Sequence, residues 1–133
     1  MLDCVYELDG HMRALNHDGC TVSTVQASTV PKPRSWPGGA CVTADGTLFV
    51  SNRGPNTISA WQRNGPTRHF LCEWPTGDWP RALCEVPGSL FLLAACQREG
   101  AVHCYYCSPL PHRAPTETAS LALPGASCAL VLD

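Results

Sequence analysis

The sequence has no long apolar run, no marked excess of charge and no basic leader, and each absence excludes a class of protein. No stretch reaches the roughly 18 consecutive apolar residues that a membrane-spanning helix needs. The formal net charge is −2 and the isoelectric point is near 6.2, so no basic face is available for nucleic acid or an anionic membrane. Residues 1–7 lack the basic start and apolar core of a signal peptide, and we therefore expect a cytoplasmic protein.

Helical periodicity is missing as well. Apolar residues do not recur with a period of about 3.6 over any useful length. Short runs rich in valine and threonine alternate with turn residues instead, and the 11 glycines and 12 prolines are scattered between those runs. This pattern is typical of an all-β chain. A length of 133 residues is enough for one ordinary domain, so we predict a single all-β domain over 1–133.

A repeat near the middle of the chain indicates the architecture. Residues 44–54 read Ala-Asp-Gly-Thr-Leu-Phe-Val-Ser-Asn-Arg-Gly, and residues 87–97 read Pro-Gly-Ser-Leu-Phe-Leu-Leu-Ala-Ala-Cys-Gln. Each copy has a turn, an apolar run and a polar tip. When Arg53 is aligned with Gln97, the offset is 44 residues and the following strands align too. A period of roughly 40–50 residues built from short strands is typical of a β-propeller blade.

Counting strands outward from this repeat predicts a partial β-propeller made of four-stranded antiparallel blades. The predicted strands are 2–8, 12–15, 21–30, 40–43, 47–51, 57–62, 67–73, 81–85, 90–95, 101–106, 118–123 and 126–132. Grouped into units, they give a partial blade at 1–30, complete blades at 37–74 and 79–123, and a closing strand at 124–133. Rings have about four to eight blades, so we expect that this chain cannot close a ring alone. Open strand edges then predict a possible homo-oligomer.

Nine cysteines are a high and odd number for a chain of this length. Several fall inside predicted apolar strands, namely Cys41, Cys84, Cys96, Cys104 and Cys128. Reduced thiols packed in a core explain them best, with disulfides and metal ligation as alternatives. The Cys104-x-x-Cys107 spacing resembles half of a zinc site, but no second pair completes it and strand geometry points the two side chains to opposite faces. We predict no metal and no other cofactor.

Several segments in a particular order resemble a known family. They are Tyr6-Glu7-Leu8, 22–30, Asp45-Gly46, 48–54, Trp79-Pro80-Arg81, 92–97 and 124–132. The tip Ser51-Asn52-Arg53-Gly54 is the most specific of them. Together they resemble the C-terminal part of the seven-bladed lactonase family, which includes bacterial 6-phosphogluconolactonase and fungal carboxy-cis,cis-muconate cyclase. The resemblance implies a C-terminal fragment with about three of seven blades. One departure is Cys96, which stands where the family usually has asparagine.

The resemblance also implies a catalytic pair, Glu7 and Arg53, at equivalent strand ends one blade apart. Lactone hydrolysis needs a base that activates water and positive charge on the developing oxyanion. Glu7 would be the acid, the base or an orienting carboxylate. Arg53 would bind a substrate phosphate or carboxylate through its planar fork, or stabilise the oxyanion. The alternative is that the two side chains only pair with each other or cap loops.

Arg81 and Gln97 are the predicted substrate-binding residues. Arg81 starts an inner strand near the same channel, and Gln97 occupies the position equivalent to Arg53 on the next blade; a solvated arginine and a plain edge glutamine are the alternatives. The implied ligand is a small-molecule lactone or a sugar phosphate. Three functions stay open: a lactone hydrolase like 6-phosphogluconolactonase, a muconate-type cycloisomerase using the same residues, and a non-catalytic fragment that self-associates.

Overall fold

The computed structural model describes residues 1–107 and 114–132, and every regular element within them is a β-strand. The strands are β1 (Leu2–Tyr6), β2 (His11–Leu15), β3 (Thr21–Gln26), β4 (Trp36–Val42), β5 (Thr47–Arg53), β6 (Thr57–Asn64), β7 (Thr67–Pro75), β8 (Pro80–Glu85), β9 (Phe91–Cys96), β10 (Ala101–Tyr106) and β11 (Thr116–Ala122). The all-β prediction is confirmed. In the described part of the chain, no helix has the length and apolar character required to cross a membrane.

The strands form three antiparallel sheets in chain order. The first sheet contains β1 to β3, the second β4 to β7 and the third β8 to β11, and in each sheet consecutive strands are hydrogen-bonded neighbours. Short turns between strands favour this meander, because antiparallel neighbours need only a hairpin connection. The arrangement is that of an unclosed partial propeller, as predicted.

The second sheet is buried on both faces, and its strand β5 shows why. Successive side chains of a strand point to opposite faces. Leu48 and Val50 therefore pack with Met12 of the first sheet, whereas Phe49 packs with Leu92 of the third sheet. This double burial explains why β5 carries a continuous apolar run rather than a strict alternation of apolar and polar residues.

The inner strands of the second and third sheets touch through two glycines of β4. A Cβ added at Gly38 would lie 2.8 Å from the carbonyl oxygen of Pro80 and 3.0 Å from Nε of Arg53. A Cβ added at Gly39 would lie 3.0 Å from Cα of Ala82. Only glycine permits this backbone approach, and the contact brings the start of β8 close to the polar tip of β5.

Three strand predictions need correction. The strand predicted at 21–30 ends at Gln26, because Ser28 and Thr29 hydrogen-bond to the side chain of Glu73 and not to β2. The strand predicted at 40–43 begins at Trp36, because residues rich in proline and glycine still pair with β5 through a register shift between Pro37 and Gly39. The strand predicted at 126–132 does not form among the described residues. A strand needs a neighbour's backbone groups, and no described strand pairs with this segment, whose Leu130 and Leu132 are exposed.

All nine cysteines are free thiols, in line with the expectation of reduced cysteines. Only Cys96 is fully buried; Cys20 and Cys128 are exposed, and the others are half-buried. The expectation that Cys128 packs in an apolar strand is wrong, because the strand around it does not form.

Candidate active site

The polar side chains at 51–54 connect the end of β5 by hydrogen bonds to β4 and to the segment that follows β3. The hydroxyl of Ser51 accepts a 2.9 Å hydrogen bond from the backbone N–H of Gly39 in β4. The side-chain amide of Asn52 donates a 3.2 Å hydrogen bond to the carbonyl of Ala27, which follows the first sheet. Both polar side chains are buried and satisfied, so this part of the motif has a structural function.

Gly54 closes the tip in a conformation that other residues rarely adopt. Its φ is +95°, and a Cβ there would lie 2.3 Å from the carbonyl oxygen of Arg34. Glycine is therefore required twice, for the backbone angle and for the close approach. The approach seats the loop at 31–35 directly against the end of β5.

Glu7 and Arg53 form an ion pair that joins the first and second sheets. Nη2 of Arg53 lies 2.7 Å from Oε1 of Glu7. Two backbone carbonyls also hold the guanidinium. Nε of Arg53 donates to the carbonyl of Trp36 at 3.1 Å, and Nη2 donates to the carbonyl of Pro37 at 3.4 Å. The side chain of Arg53 is 4% exposed and that of Glu7 is 58% exposed. A fixed, buried guanidinium thus holds an accessible carboxylate, which is the pairing that the sequence left as an alternative.

Trp79 extends this site toward the third sheet. Two arginines lie close to its ring: Cζ of Arg98 is 3.3 Å from the ring centroid, and Cζ of Arg53 is 5.5 Å away. The guanidinium of Arg98 therefore stacks on the indole in a cation–π contact. Among the described residues Arg98 has no carboxylate within ion-pair distance, so its positive charge faces solvent.

The backbone of Trp79 is strained. Its φ is +62°, an uncommon conformation for a bulky residue. Two hydrogen bonds hold it there, one of 3.1 Å from its N–H to Oδ1 of Asn56 and one of 3.0 Å from the N–H of Gln97 to its carbonyl. Strain of this kind persists where the surroundings impose it, which is frequent at functional sites.

The two predicted substrate-binding residues are not tied to the ion pair. Arg81 is exposed in β8, and Gln97 contacts the site through its backbone N–H. In the stretches 1–107 and 114–132, neither side chain makes a hydrogen bond or an ion pair with the protein. Their binding roles stay predictions.

An open groove of about 960 Å³ is lined in part by the turn that follows Glu7, although Glu7 itself is not in the lining. The turn that carries Glu7 supplies Asp9 and Gly10 to one wall, and the loop at 31–35 supplies Lys32 and Arg34 to the other. Neither cation was predicted as a site residue, because a charged residue in an exposed loop has no sequence pattern that marks it as part of a binding site. Arg98 was not predicted either, although Arg98 directly follows Gln97 and thus extends the polar tip of the second repeat.

A smaller cavity of about 230 Å³ lies at the other end of the second and third sheets. Asp45, Phe49, Glu85 and Leu92 are among its lining residues. Thr47, also in the lining, is separated from Arg53 by the whole of β5, about 20 Å at the usual rise per residue. This cavity therefore does not belong to the site at Glu7 and Arg53.

The sequence profile of a family described as lactonase, seven-bladed β-propeller, matches residues 2–131. The chain belongs to this lactonase family. Three antiparallel sheets, each built from strands that follow one another in the chain, agree with membership. A comparison with curated proteins gives no match.

Solved structures of similar fold include lactonases. A candidate 6-phosphogluconolactonase from Bacteroides uniformis is 26% identical, with a TM-score of 0.82 over 95% of this chain and 38% of its own. The periplasmic gluconolactonase PpgL of Pseudomonas aeruginosa is 22% identical, with a TM-score of 0.82 over 92% of this chain and 36% of its own. A candidate 6-phosphogluconolactonase from Bacteroides fragilis is 22% identical, with a TM-score of 0.81 over 95% and 37%. The chain thus spans less than two-fifths of the length of these proteins.

Proposed function

We propose that this lactonase-family chain forms one wall of a site that hydrolyses a sugar-acid lactone, with Glu7 as the general base. The observation that carries the proposal is the pairing of an accessible Glu7 carboxylate with a buried Arg53 guanidinium at 2.7 Å. Family membership supports the reaction class. The description of the Bacteroides uniformis relative as a candidate 6-phosphogluconolactonase supports a phosphorylated substrate.

In the proposed reaction, Glu7 takes a proton from water while the water oxygen bonds to the lactone carbonyl carbon. The tetrahedral intermediate then collapses, the ring C–O bond breaks, and the ring oxygen takes the proton back from Glu7. The product is the open hydroxy acid. Such a base typically contributes about 10²–10⁴-fold to the rate. Arg53 acts as a positioning residue, because two backbone carbonyls hold it where it can orient the carboxylate of Glu7.

The substrate's phosphate or carboxylate would bind at the cations around the groove. Arg98 is ordered by its stacking on Trp79 and has no carboxylate partner among the described residues. Lys32 and Arg34 line the groove together with Asp9 and Gly10 of the turn that follows Glu7. A guanidinium that is already ordered loses less side-chain entropy when it binds an oxyanion. Arg81 and Gln97 would add contacts from the inner strand and the second repeat.

The test is the hydrolysis of 6-phosphogluconolactone above its spontaneous rate. Glu7→Gln should lower kcat by about 10²–10⁴-fold, and Arg53→Ala should lower kcat as well because Glu7 loses its support. Arg98→Gln should mainly raise KM, since it removes a contact to the substrate anion. Asp18→Asn, in an exposed turn of the first sheet, is the matched control and should leave the rate unchanged.

Activity that survives both Glu7→Gln and Arg53→Ala would overturn the site assignment. Incorporation of oxygen from labelled water into the product separates hydrolysis from a muconate-type cycloisomerisation, which uses no water. A product without solvent oxygen would therefore replace the hydrolase with the cycloisomerase.

A second candidate is a non-catalytic, self-associating propeller fragment. The observation that favours it is the full exposure of β11 together with several leucines at and after it, namely Leu121, Leu123, Leu130 and Leu132. Exposed strand edges and contiguous apolar side chains promote association. Sedimentation at increasing concentration tests this candidate, and a monomer at high concentration would contradict it.

A further inference from the structure

We propose that Cys96, Glu99 and His103 form a zinc site at the hairpin between β9 and β10 of the third sheet, built from other residues than the Glu7–Arg53 pair. The sulfur of Cys96, a carboxylate oxygen of Glu99 and a ring nitrogen of His103 all lie within 4.8 Å of one another. Cys96 ends β9, Glu99 lies in the turn and His103 lies in β10, so one hairpin supplies all three. A thiolate, an imidazole and a carboxylate form a ligand set typical of zinc.

The spacing of the three atoms fits a tetrahedral ion after a small adjustment. Zinc bonds of about 2.0–2.3 Å place neighbouring ligands about 3.3–3.8 Å apart. Nε2 of His103 now lies 2.7 Å from Oε2 of Glu99, and the sulfur of Cys96 lies within 4.8 Å of both atoms. Glu99 is exposed, so its carboxylate can swing outward by the required distance. Solvent on that side supplies a water as the fourth ligand.

The backbone beside the cluster leaves room for it. A Cβ added at Gly77 would lie 1.6 Å from Oε2 of Glu99 and 2.6 Å from Nε2 of His103. Any side chain at Gly77 would therefore prevent these two atoms from converging. The φ of Gly77 is not in the left-handed region, so the approach of the ligands, rather than backbone conformation, explains the glycine.

A second layer of contacts orients two of the ligands. Nδ1 of His103 lies 3.2 Å from Oε1 of Glu117 in β11, at ion-pair distance without the alignment of a hydrogen bond. A carboxylate on the far ring nitrogen is the usual support of a zinc-bound imidazole. On the other side, Oγ1 of Thr76 lies 3.7 Å from the sulfur of Cys96 and accepts a 2.8 Å hydrogen bond from the hydroxyl of Tyr105.

A histidine clamped by two carboxylates is the simpler explanation, and it accounts for Gly77 equally well, because the clash at Gly77 is with the His103–Glu99 pair itself. It does not account for the sulfur of Cys96 within 4.8 Å of both groups. The sulfur also decides which metal fits, because thiolate favours zinc over the oxygen-preferring ions calcium and magnesium. On binding, the thiol proton of Cys96 and any proton on Nε2 of His103 leave to solvent.

The test is a titration of the full chain with Zn²⁺, with Co²⁺ as the spectroscopic probe. We expect one ion per chain, a thiolate-to-cobalt charge-transfer band and a rise in Tm with Zn²⁺. Cys96→Ser should abolish the band. Glu117→Gln should weaken the affinity about 10–100-fold, as for other outer carboxylates. Cys104→Ser is the matched control, since Cys104 lies in the same hairpin, and it should leave the band and the affinity unchanged.

Glu99→Gln keeps the test decisive if the buried Cys96→Ser variant does not fold, because Glu99 is exposed. Its far-ultraviolet circular dichroism should match that of the parent chain, while its Zn²⁺ affinity falls at least as much as that of Glu117→Gln. The absence of one-to-one binding would overturn the proposal. So would binding that survives Glu99→Gln, or binding that is lost with Cys104→Ser.

Discussion

Replacing Asp3 with asparagine should destabilise the protein strongly, because Asp3 neutralises a buried arginine between the first and second sheets. Oδ1 of Asp3 lies 2.6 Å from Nε and 2.5 Å from Nη2 of Arg68. Its Oδ2 lies 2.9 Å from Nε of Arg63. The side chains of Asp3 and Arg68 are 7% and 1% exposed. After the substitution, the guanidinium of Arg68 stays charged and buried without a counter-charge.

Removing one partner of a buried pair costs about 3–5 kcal/mol. Total free energies of unfolding are typically about 5–15 kcal/mol, so the change takes a large part of the stability. With a urea m-value of about 1–3 kcal/mol/M, the unfolding midpoint should fall by roughly 1–5 M. Urea unfolding followed by tryptophan fluorescence measures it.

The matched control is Asp9→Asn. Asp9 pairs with Arg13 at 2.5 Å in the same sheet, but the two side chains are 38% and 29% exposed. An exposed pair contributes about 1 kcal/mol or less, so the midpoint should hardly move. Equal small losses for both variants would contradict this prediction, because burial would then not distinguish the two ion pairs. Replacing both Asp3 and Arg68 with apolar residues should recover much of the loss.

Three further predictions concern stability and reactivity. Burial alone would raise the pKa of Glu73, but hydroxyl and amide hydrogen bonds outweigh it and hold the pKa below the ordinary value of 4.5. The contribution of ionised Glu73 to the free energy of unfolding is therefore complete above pH 4.5 and is lost as the pH falls through the lowered pKa. When the urea midpoint is measured against pH, Glu73→Gln should reduce the change in the midpoint over that pH range. Gly54→Ala should lower the free energy of unfolding by more than Gly46→Ala, since both have positive φ but only Gly54 meets a carbonyl oxygen at 2.3 Å; equal losses would contradict the clash. Burial raises the pKa of the Cys41 thiol to about 12. Iodoacetamide at neutral pH should therefore alkylate the exposed Cys20 before Cys41, and mass spectrometry measures the order. Equal labelling in the folded state would refute the burial argument.

The strands and their grouping could be predicted from the sequence because the signals are local. Turn residues separate short apolar runs, and the repeat at 44–54 and 87–97 gives the period of the sheets. Local signals also account for two of the errors. The proline and glycines at 37–39 are not typical of a strand, so the sequence did not predict the start of β4. The apolar run at 126–132 resembles a strand whether or not a partner strand lies beside it.

The all-β class and the order of strands could be read from the sequence alone, and the resemblance predicted Glu7 and Arg53 as site residues. The packing of the sheets was needed to show that these two side chains pair, that Arg98 stacks on Trp79, and that a cysteine, a glutamate and a histidine converge beside Gly77. The physical reason is that alternation and turns act between neighbours in the chain. The positions of polar groups from separate strands instead depend on how the sheets pack and where their backbones can touch.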